Sequence, residues 1–328
     1  MVMEPAPRDE PERSFEAIRS AAARIERFVR RTPVLSDERL NEQLGAHVFF
    51  KCENLQRGGA FKLRGATNAV QLLTQTAAAA GVATHSSGNH GTALAIAARR
   101  CGIPAVIVMP RNSAVTKIEA VRREGAEIVL CEPGRVAREA ALGQLLRARS
   151  LEVVHPYDDD RVIAGQGTAA LEFMEQQPHL ELLLVPVGGG GLLSGTAIAA
   201  KALGPAIRVI GTQPELADDA CRSFRSGERV LLDAPDTIAD GLRSSLGVRN
   251  FAIIRRLVDD MVSVSEEGIA AAARLVLDRL KVLIEPSAAV PVAALLERKV
   301  HASGARIGII LSGGNLDLDA ASWLTGVR

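Results

Sequence analysis

The sequence is poor in aromatic side chains, which make up only 3% of its 328 residues. Hydrophobic residues still reach 47%, so alanine, valine, leucine and isoleucine have to fill the interior. A chain of this length forms one large domain or two domains of moderate size.

The sequence also lacks an excess of either charge. Lysine and arginine number 39 against 38 aspartates and glutamates, a formal net charge of +1. Proteins that bind nucleic acid or anionic membranes usually carry a basic surplus, so we expect neither partner. The N-terminal stretch "MVMEPAPRDEPERSFEA" has no basic start followed by an apolar run, as a signal peptide would have. We therefore expect a cytoplasmic protein.

Cysteines are few and scattered. The four cysteines, at positions 52, 101, 131 and 221, form no Cys-x-x-Cys pair. This spacing is typical of reduced, structural thiols and favours neither a disulfide framework nor a zinc site. The glycine-rich segment "VGGGGLLSG" matches neither the dinucleotide fingerprint nor the P-loop, so an NAD-dependent oxidoreductase is not indicated.

Short runs rich in valine and isoleucine alternate with longer helical patterns along most of the chain. Runs such as "PAVIVMP" and "LELLLVPV" lack a polar face, as is typical of strands buried on both sides. We predict an α/β fold with parallel sheets and helices on both faces. In such folds ligands bind where strands end and helices begin.

One uncharged segment, Leu182 to Ala200, approaches the length of a membrane-spanning helix. A proline and four successive glycines interrupt it. The interruption predicts a buried strand, a loop and a helix instead.

Four predicted loops carry residues suited to a single ligand. Lys62 follows a glycine pair and Phe61, and a lysine whose pKa is lowered by burial can form a Schiff base. A solvent-facing lysine at a helix start is the alternative. The loop "HSSGNHG", with Asn89, precedes a helix whose free N–H groups could bind an anion; plain capping by serine or asparagine would look the same.

The other two loops follow later strands. Gly188 to Gly191 offer successive N–H groups that could hold a phosphate, although a merely flexible loop is possible. Ser312, in "LSGGN", could bind a heterocycle nitrogen or belong to an ordinary turn. A Schiff-base lysine, a phosphate cradle, and partners for a hydroxyl and a ring nitrogen are what pyridoxal phosphate requires. The four loops together predict that cofactor.

The chain resembles the serine/threonine dehydratase and serine racemase family of pyridoxal-phosphate enzymes, which have the tryptophan-synthase-β-like fold (fold type II). The resemblance extends from about Phe15 to the C-terminus. It is carried, in family order, by the motifs "ENLQRGGAFKLRGA", "SSGNHG", "VIAGQGTAALE", "PVGGGG", "TIADGL", "EPSAAV" and "LSGGN".

The resemblance assigns roles around the cofactor. It implies that Lys62 forms the Schiff base, that the glycine loop holds the phosphate, and that Asn89 meets the 3-hydroxyl. Ser312 would meet the ring nitrogen and Phe61 would support one ring face. The implied cofactor-binding residues are Phe61, Lys62, Asn89, Gly188, Gly189, Gly190, Gly191, Glu285 and Ser312.

The resemblance also implies contacts with an amino-acid substrate. The implied substrate-binding residues are Ser86, Ser87, Gly88, Asn89, His90 and Arg138. Ser87 matches the serine that acts as acid and base on the opposite face in serine racemases, which makes it a catalytic candidate beside Lys62. A packed His90 and a solvated helix Arg138 are the alternatives.

This chain departs from the family pattern at two places. Gly58 stands where the family often has threonine. In the region of the racemase metal site, the chain offers Gln213, Ala217 and Asp219, so a glutamate is replaced by an uncharged amide. An amide oxygen can bind a hard cation, and we expect a weak Mg²⁺ site or none.

The leading functional hypothesis is β-elimination from a hydroxy amino acid such as L-threonine or L-serine, which yields a 2-oxo acid and ammonia. Alternatives are an amino-acid racemase, or a dehydratase specialised for threo-3-hydroxyaspartate, phenylserine or a hydroxyectoine breakdown intermediate. A ligand sensor without catalytic activity is disfavoured by the intact lysine. The resemblance implies a homodimer, with a large domain of residues 1–80 and 158–328. A small inserted domain, residues 81–157, would close over the cofactor cleft.

Overall fold

The computed structural model describes residues 10–86, 88–233, 235–318 and 321. Ser87, the second catalytic candidate, lies outside these ranges. The strands are β1 (Val34–Leu35), β2 (His47–Lys51), β3 (Val82–His85), β4 (Ala105–Pro110), β5 (Glu127–Cys131), β6 (Glu152–Val153), β7 (Leu182–Pro186), β8 (Arg208–Pro214), β9 (Asp260–Val264) and β10 (Arg306–Ile310).

Helices occupy most of the connections between strands. They are α1 (Glu10–Ile25), α2 (Glu38–Leu44), α3 (Lys62–Gln71), α4 (Gln75–Ala80), α5 (Asn89–Arg100), α6 (Val115–Arg123), α7 (Arg135–Ala148), α8 (Asp160–Gln176), α9 (Gly191–Leu203), α10 (Asp219–Ser226), α11 (Val248–Leu257), α12 (Glu266–Leu280) and α13 (Pro286–Leu296).

The strands form two sheets. The six-stranded sheet has the order β1-β2-β10-β7-β8-β9, and the four-stranded sheet has the order β5-β4-β3-β6. All pairings are parallel except that of β1 with β2. The predicted α/β fold with two parallel sheets is confirmed. The two-residue β1 was not predicted, because two residues show no periodicity.

Both faces of each sheet are covered. Along β7, Leu182 and Leu184 join one apolar cluster, whereas Leu183 and Val185 join the cluster on the opposite face. Side chains alternate across a strand, so a strand with no polar face requires helices on both sides. In the four-stranded sheet, Ile107 joins the apolar cluster on one face and Val108 joins the cluster on the other.

The segment from Leu182 to Ala200 folds as predicted, into β7, a glycine loop and α9. In the ranges that the structure describes, no helix is both long enough and apolar enough to cross a membrane. The strands of the smaller sheet run from Val82 to Val153. The assignment of residues 81–157 to a separate domain remains a proposal.

Small residues let three helices approach closely. A Cβ added to Gly165 on α8 would lie 2.5 Å from Cα of Gly65 on α3. A Cβ added to Gly195 on α9 would lie 2.5 Å from the backbone nitrogen of Gly167 on α8. Helix α3, which begins at Lys62, is therefore held against α8 at backbone distance.

A buried ion cluster fixes the same helix. The Arg64 guanidinium donates to both carboxylate oxygens of Glu53, at 2.7 and 2.8 Å, and to Glu172 of α8 at 3.0 Å. Arg64 and Glu53 are almost fully buried. The Arg64 charge holds the pKa of Glu53 below its ordinary value although burial acts in the opposite direction.

Substitution Gly165→Ala tests the helix contact. The added methyl group meets backbone atoms of α3 that cannot rotate away, so we expect a loss of about 1–3 kcal/mol in the free energy of unfolding. The matched control is Gly143→Ala on α7, where the nearest atom to the new Cβ is a side-chain nitrogen 3.7 Å away. There we expect a gain of about 0.5–1 kcal/mol from helix propensity. Urea unfolding of both variants would measure the difference, and equal effects would contradict this role of Gly165.

Candidate active site

A cavity of about 670 Å³ lies where the carboxyl ends of strands from both sheets meet. The loops after β3, β7 and β10 contribute to its wall, as does the start of α3. Residues from all four predicted loops line this one cavity.

Lys62 lies in this cavity and not on the outer surface. Its Nζ donates to the carbonyl oxygen of Pro156 at 2.8 Å and lies 5.2 Å from the centre of the Phe61 ring. Desolvation lowers the pKa of Lys62 to about 8, and the nearby Glu285 carboxylate offsets part of that effect. Near neutral pH an amine with this pKa has a far larger uncharged fraction than an ordinary lysine.

Asn89 does not cap its helix as an ordinary asparagine would. Helix α5 begins at Asn89 itself, and its N-cap, Gly88, provides no side-chain bond. The Asn89 Nδ2 instead donates to both Glu285 oxygens, at 2.9 and 3.0 Å, and its Oδ1 accepts from Asn315 at 2.9 Å. Asn315 was not among the predicted site residues, although it ends the motif "LSGGN".

Glu285 is buried at the N-cap of α13. Desolvation raises the pKa of its carboxyl to about 7, and the charge of Asp240 acts in the same direction. Ser312, also buried, follows β10, and its carbonyl oxygen accepts from the Phe61 N–H at 3.0 Å. The Ser312 loop and the start of α3 are thereby joined.

Two positions of the glycine loop, Gly189 and Gly190, have no room for a side chain. A Cβ at Gly189 would lie 2.2 Å from Cγ of Tyr157, and Gly190 has a φ of +94°. Within the described ranges, no hydrogen bond uses the N–H groups of Gly188, Gly189 or Gly190 as donors. Free N–H groups of this kind at the N-terminus of a helix such as α9 are suited to binding an anion; we call this loop the glycine cradle.

The loop before α5 and the first turn of that helix contain two further candidates, Ser86 and His90. His90 is 2% exposed, and its Nε2 lies 3.1 Å from the carbonyl oxygen of Val154. Burial and the Lys62 charge hold the pKa of His90 well below its ordinary value. His90 therefore packs as a neutral core histidine at the cavity wall. Ser86 is also buried, and its Oγ accepts from the Gly88 N–H at 3.2 Å.

The cavity wall includes residues that the sequence patterns did not indicate. Arg135 and Arg138 both line it from α7, although only Arg138 was predicted. Tyr157 packs against the glycine loop, and its ring centre lies 4.6 Å from that of His155. The centre of the His155 ring lies 5.8 Å from the centre of the His85 ring, and the two rings meet edge to face. Tyr157 is the only tyrosine in the sequence and lies in the motif "HPY" before α8. Its rarity is the one sequence signal that could have indicated it as a site residue.

Gln213, the amide among the proposed metal ligands, is engaged with protein groups through both of its side-chain polar atoms. Gln213 Oε1 accepts from the N–H groups of Ala220 and Cys221, at 2.9 and 3.0 Å. Its Nε2 donates to Asp219 at 3.3 Å, and desolvation raises the pKa of Asp219 to about 6. The described part of the chain holds no group of three or more His, Cys, Asp or Glu arranged for a metal ion. A weak Mg²⁺ site, or none, remains a prediction.

The donors at this site match the chemistry of pyridoxal phosphate. An amine of lowered pKa can bond to an aldehyde carbon, and the glycine loop offers N–H groups that a phosphate can accept. A family model described as "Pyridoxal-phosphate dependent enzyme" matches residues 25–313. The chain belongs to this family. It is therefore a pyridoxal-phosphate enzyme of fold type II, as its sequence predicted.

Individual relatives span nearly the whole chain. A β-hydroxyaspartate dehydratase from Paracoccus denitrificans (strain Pd 1222) is 45% identical, covering 94% of this chain and 98% of the relative. A serine racemase from Arabidopsis thaliana is 46% identical, covering 92% and 93% respectively. The structure of maize serine racemase superposes with a TM-score of 0.91 at 42% identity, covering 93% of this chain and 94% of the other.

The lowered pKa of Lys62 predicts the pH dependence of cofactor attachment. Only the uncharged amine attacks an aldehyde, so the rate of covalent attachment to cofactor-free protein should rise with a midpoint at about pH 8. Because the Glu285 carboxylate raises the pKa of Lys62, the substitution Glu285→Gln should move that midpoint to lower pH. Stopped-flow absorbance against pH measures both. A midpoint above pH 10, or an upward shift in the variant, would contradict this assignment.

Proposed function

We propose that the enzyme eliminates water from a 3-hydroxy amino acid and releases a 2-oxo acid and ammonia. The observation that carries the proposal is the position of Lys62, whose weakly basic amine faces the cavity beside the glycine cradle. Named relatives support the reaction class, since one of them is a β-hydroxyaspartate dehydratase.

Lys62 is proposed to serve twice. Its Nζ would hold the cofactor, and as a free amine it would accept the α-proton of the substrate as a general base. A base is most effective when its pKa lies near the working pH, and a pKa of about 8 meets that condition. Bound pyridoxal phosphate supplies the electron sink that makes the α-proton acidic.

The remaining side chains would orient the reacting groups. In this proposal Gly188–Gly191 bind the phosphate, Asn89 the 3-hydroxyl and Ser312 the ring nitrogen. A serine hydroxyl, unlike a carboxylate, does not hold a proton on that nitrogen. Negative charge at the α-carbon is then less stabilised, which favours prompt departure of the β-hydroxyl.

The substrate carboxylate is proposed to bind at the start of α5. Ser86, Gly88 and Asn89 line the cavity there, and a helix N-terminus without a side-chain cap favours an anion. A homodimer whose smaller sheet closes over the substrate remains part of the proposal.

Racemisation of an amino acid is the second candidate. It is favoured by the 46% identity to a serine racemase and by a serine at position 87. A racemase would interconvert L-serine and D-serine without release of ammonia, so chiral chromatography of the products separates the two reactions.

Lys62→Ala should abolish turnover and covalent attachment of the cofactor, because it removes both the linkage and the base. The matched control is Lys299→Ala, which removes a lysine paired with Glu215 and not lining the cavity. That variant should retain its turnover to within about twofold, since exposed ion pairs contribute little. Turnover by the Lys62 variant at the wild-type rate would refute the assignment.

A substrate panel tests the proposed reaction directly. Purified protein is given L-serine, L-threonine, L-threo-3-hydroxyaspartate or phenylserine, and the release of 2-oxo acid and ammonia is measured. We expect release from at least one of them. The Gln213 side-chain oxygen already accepts two backbone N–H groups, so it should bind a cation only weakly. We therefore expect removal of divalent cations with EDTA to lower the rate by less than about twofold. Failure with every substrate despite bound cofactor would rule out elimination from this panel.

A further inference from the structure

Helix α11 begins beside the glycine cradle, and its N-terminus is capped from another part of the chain. Its N-cap, Gly247, has no side chain that could accept the free N–H groups. The Asp158 carboxylate accepts them instead, with one oxygen 3.0 Å from the Val248 nitrogen and the other 2.9 Å from the Arg249 nitrogen. A Cβ added to Gly247 would lie 2.4 Å from Cγ of Asp158, so this close approach requires a glycine.

The same N-terminus holds one peptide of the glycine cradle. The Gly247 N–H donates to the carbonyl oxygen of Gly189 at 3.1 Å. In a trans peptide the carbonyl oxygen and the following N–H point in opposite directions. The bond therefore fixes the Gly190 N–H on the side away from Gly247. Because glycine backbone rotates with little steric restriction, the peptide between Gly189 and Gly190 would turn more freely without this bond.

Tyr157, the residue before Asp158, bounds the cradle from the other side. Its ring lies so close to Gly189 that an added Cβ would be 2.2 Å from the ring carbon Cγ. The Tyr157 carbonyl oxygen accepts at 3.0 Å from Nδ2 of Asn250, a fully buried residue in the first turn of α11. A Cβ added to Gly190 would lie 2.8 Å from Cβ of Asn250. The two sides that enclose the cradle are thus bonded to each other.

Asp158 acts from outside the cavity. Tyr157 and Gly188–Gly191 line the cavity, whereas Asp158 is not among the described residues that do so. By charge alone, a carboxylate beside an anion site weakens the binding of the anion. Any benefit of Asp158 to phosphate binding therefore has to come from the position that it gives to α11.

We propose that Asp158 is a positioning residue for the cofactor phosphate. Its carboxylate holds the first turn of α11 where Gly247 can orient the peptide between Gly189 and Gly190, so that the Gly190 N–H is presented to the phosphate. This inference rests on the part of the proposed function that assigns the phosphate to the glycine cradle. Attachment of the cofactor aldehyde to Lys62 should depend on Asp158 far less than phosphate binding does.

The experiment measures how much the phosphate contributes to cofactor binding. Cofactor-free protein is titrated with pyridoxal phosphate and with pyridoxal, which has the same ring and aldehyde but no phosphate. The ratio of the two dissociation constants isolates the contribution of the phosphate. Asp158→Asn should lower the preference for pyridoxal phosphate on the order of tenfold, the size expected for loss of a hydrogen bond to a charged group. Its affinity for pyridoxal should stay nearly the same.

Asp160→Asn is the matched control, because it removes the same charge two positions further along the chain. Asp160 is exposed, and its Oδ2 lies 3.4 Å from Nε of Arg249, so the preference should stay within about twofold of wild type. The sign of the Asp158 effect is also diagnostic, since removal of a negative charge favours anion binding and loss of position disfavours it. An unchanged or increased preference in Asp158→Asn, or an equal loss of both affinities, would overturn the proposal.

A second variant decides the question if Asp158→Asn does not fold. Asn250→Ala retains the Cβ that packs against Gly190 but removes the amide that donates to Tyr157. It loosens the same enclosure without a change of charge, so the preference for pyridoxal phosphate should again fall. Circular dichroism first establishes that each variant is folded. A folded Asn250→Ala protein with the wild-type preference would then count against the proposal.

Gly190→Ala separates failure of this inference from failure of the assignment on which it rests. Gly190 has a φ of +94°, so alanine there strains the cradle itself. If Gly190→Ala lowers the preference and Asp158→Asn does not, the phosphate binds in the cradle and Asp158 does not position it. If neither lowers it, the phosphate binds elsewhere and both assignments are wrong. No amino acid is present in these titrations, so the results do not depend on which reaction the enzyme catalyses.

Discussion

The backbone contact between α3 and α8 at Gly65 and Gly165 is the constraint on which the site depends. Lys62 is the first residue of α3, so any displacement of that helix moves the amine relative to the glycine loop. The contact leaves no room for a methyl group, and the Arg64 ion pairs with Glu53 and Glu172 oppose rotation of the helix. A long, flexible lysine side chain is thus anchored at its backbone end, which limits the positions its nitrogen can reach.

Burial then adjusts the chemistry of the groups held in place. Two groups that would ordinarily be ionised, Lys62 and Glu285, have pKa values of about 8 and about 7. Desolvation is the main cause for both, and it acts in opposite directions because the charged form is cationic in one case and anionic in the other. Each group therefore exchanges a proton near neutral pH. The same burial that fixes the geometry provides a base of moderate strength.

Sequence patterns predicted the elements whose cause is local or repeated. The buried strands follow from apolar runs such as those of β4 and β7. The four ligand loops follow from their places between strand and helix. Asn315 and Arg135 were missed because their importance arises from contacts between distant segments. Asn315 bonds to Asn89 across 226 positions of the chain, and no local pattern encodes that distance.

The arrangement of Asn89 shows how such distant contacts define a binding direction. An amide side chain offers one acceptor and two donors. Asn315 donates to the acceptor, Oδ1, and is itself tied to the carbonyl oxygen of Gly58 at 2.8 Å. With Oδ1 engaged, the donor nitrogen is turned toward Glu285 and the cavity. The loop before α3, the loop after β10 and the start of α5 are consequently joined by one chain of hydrogen bonds, so the segments that bring Lys62, Ser312 and Asn89 together also set the orientation of the amide.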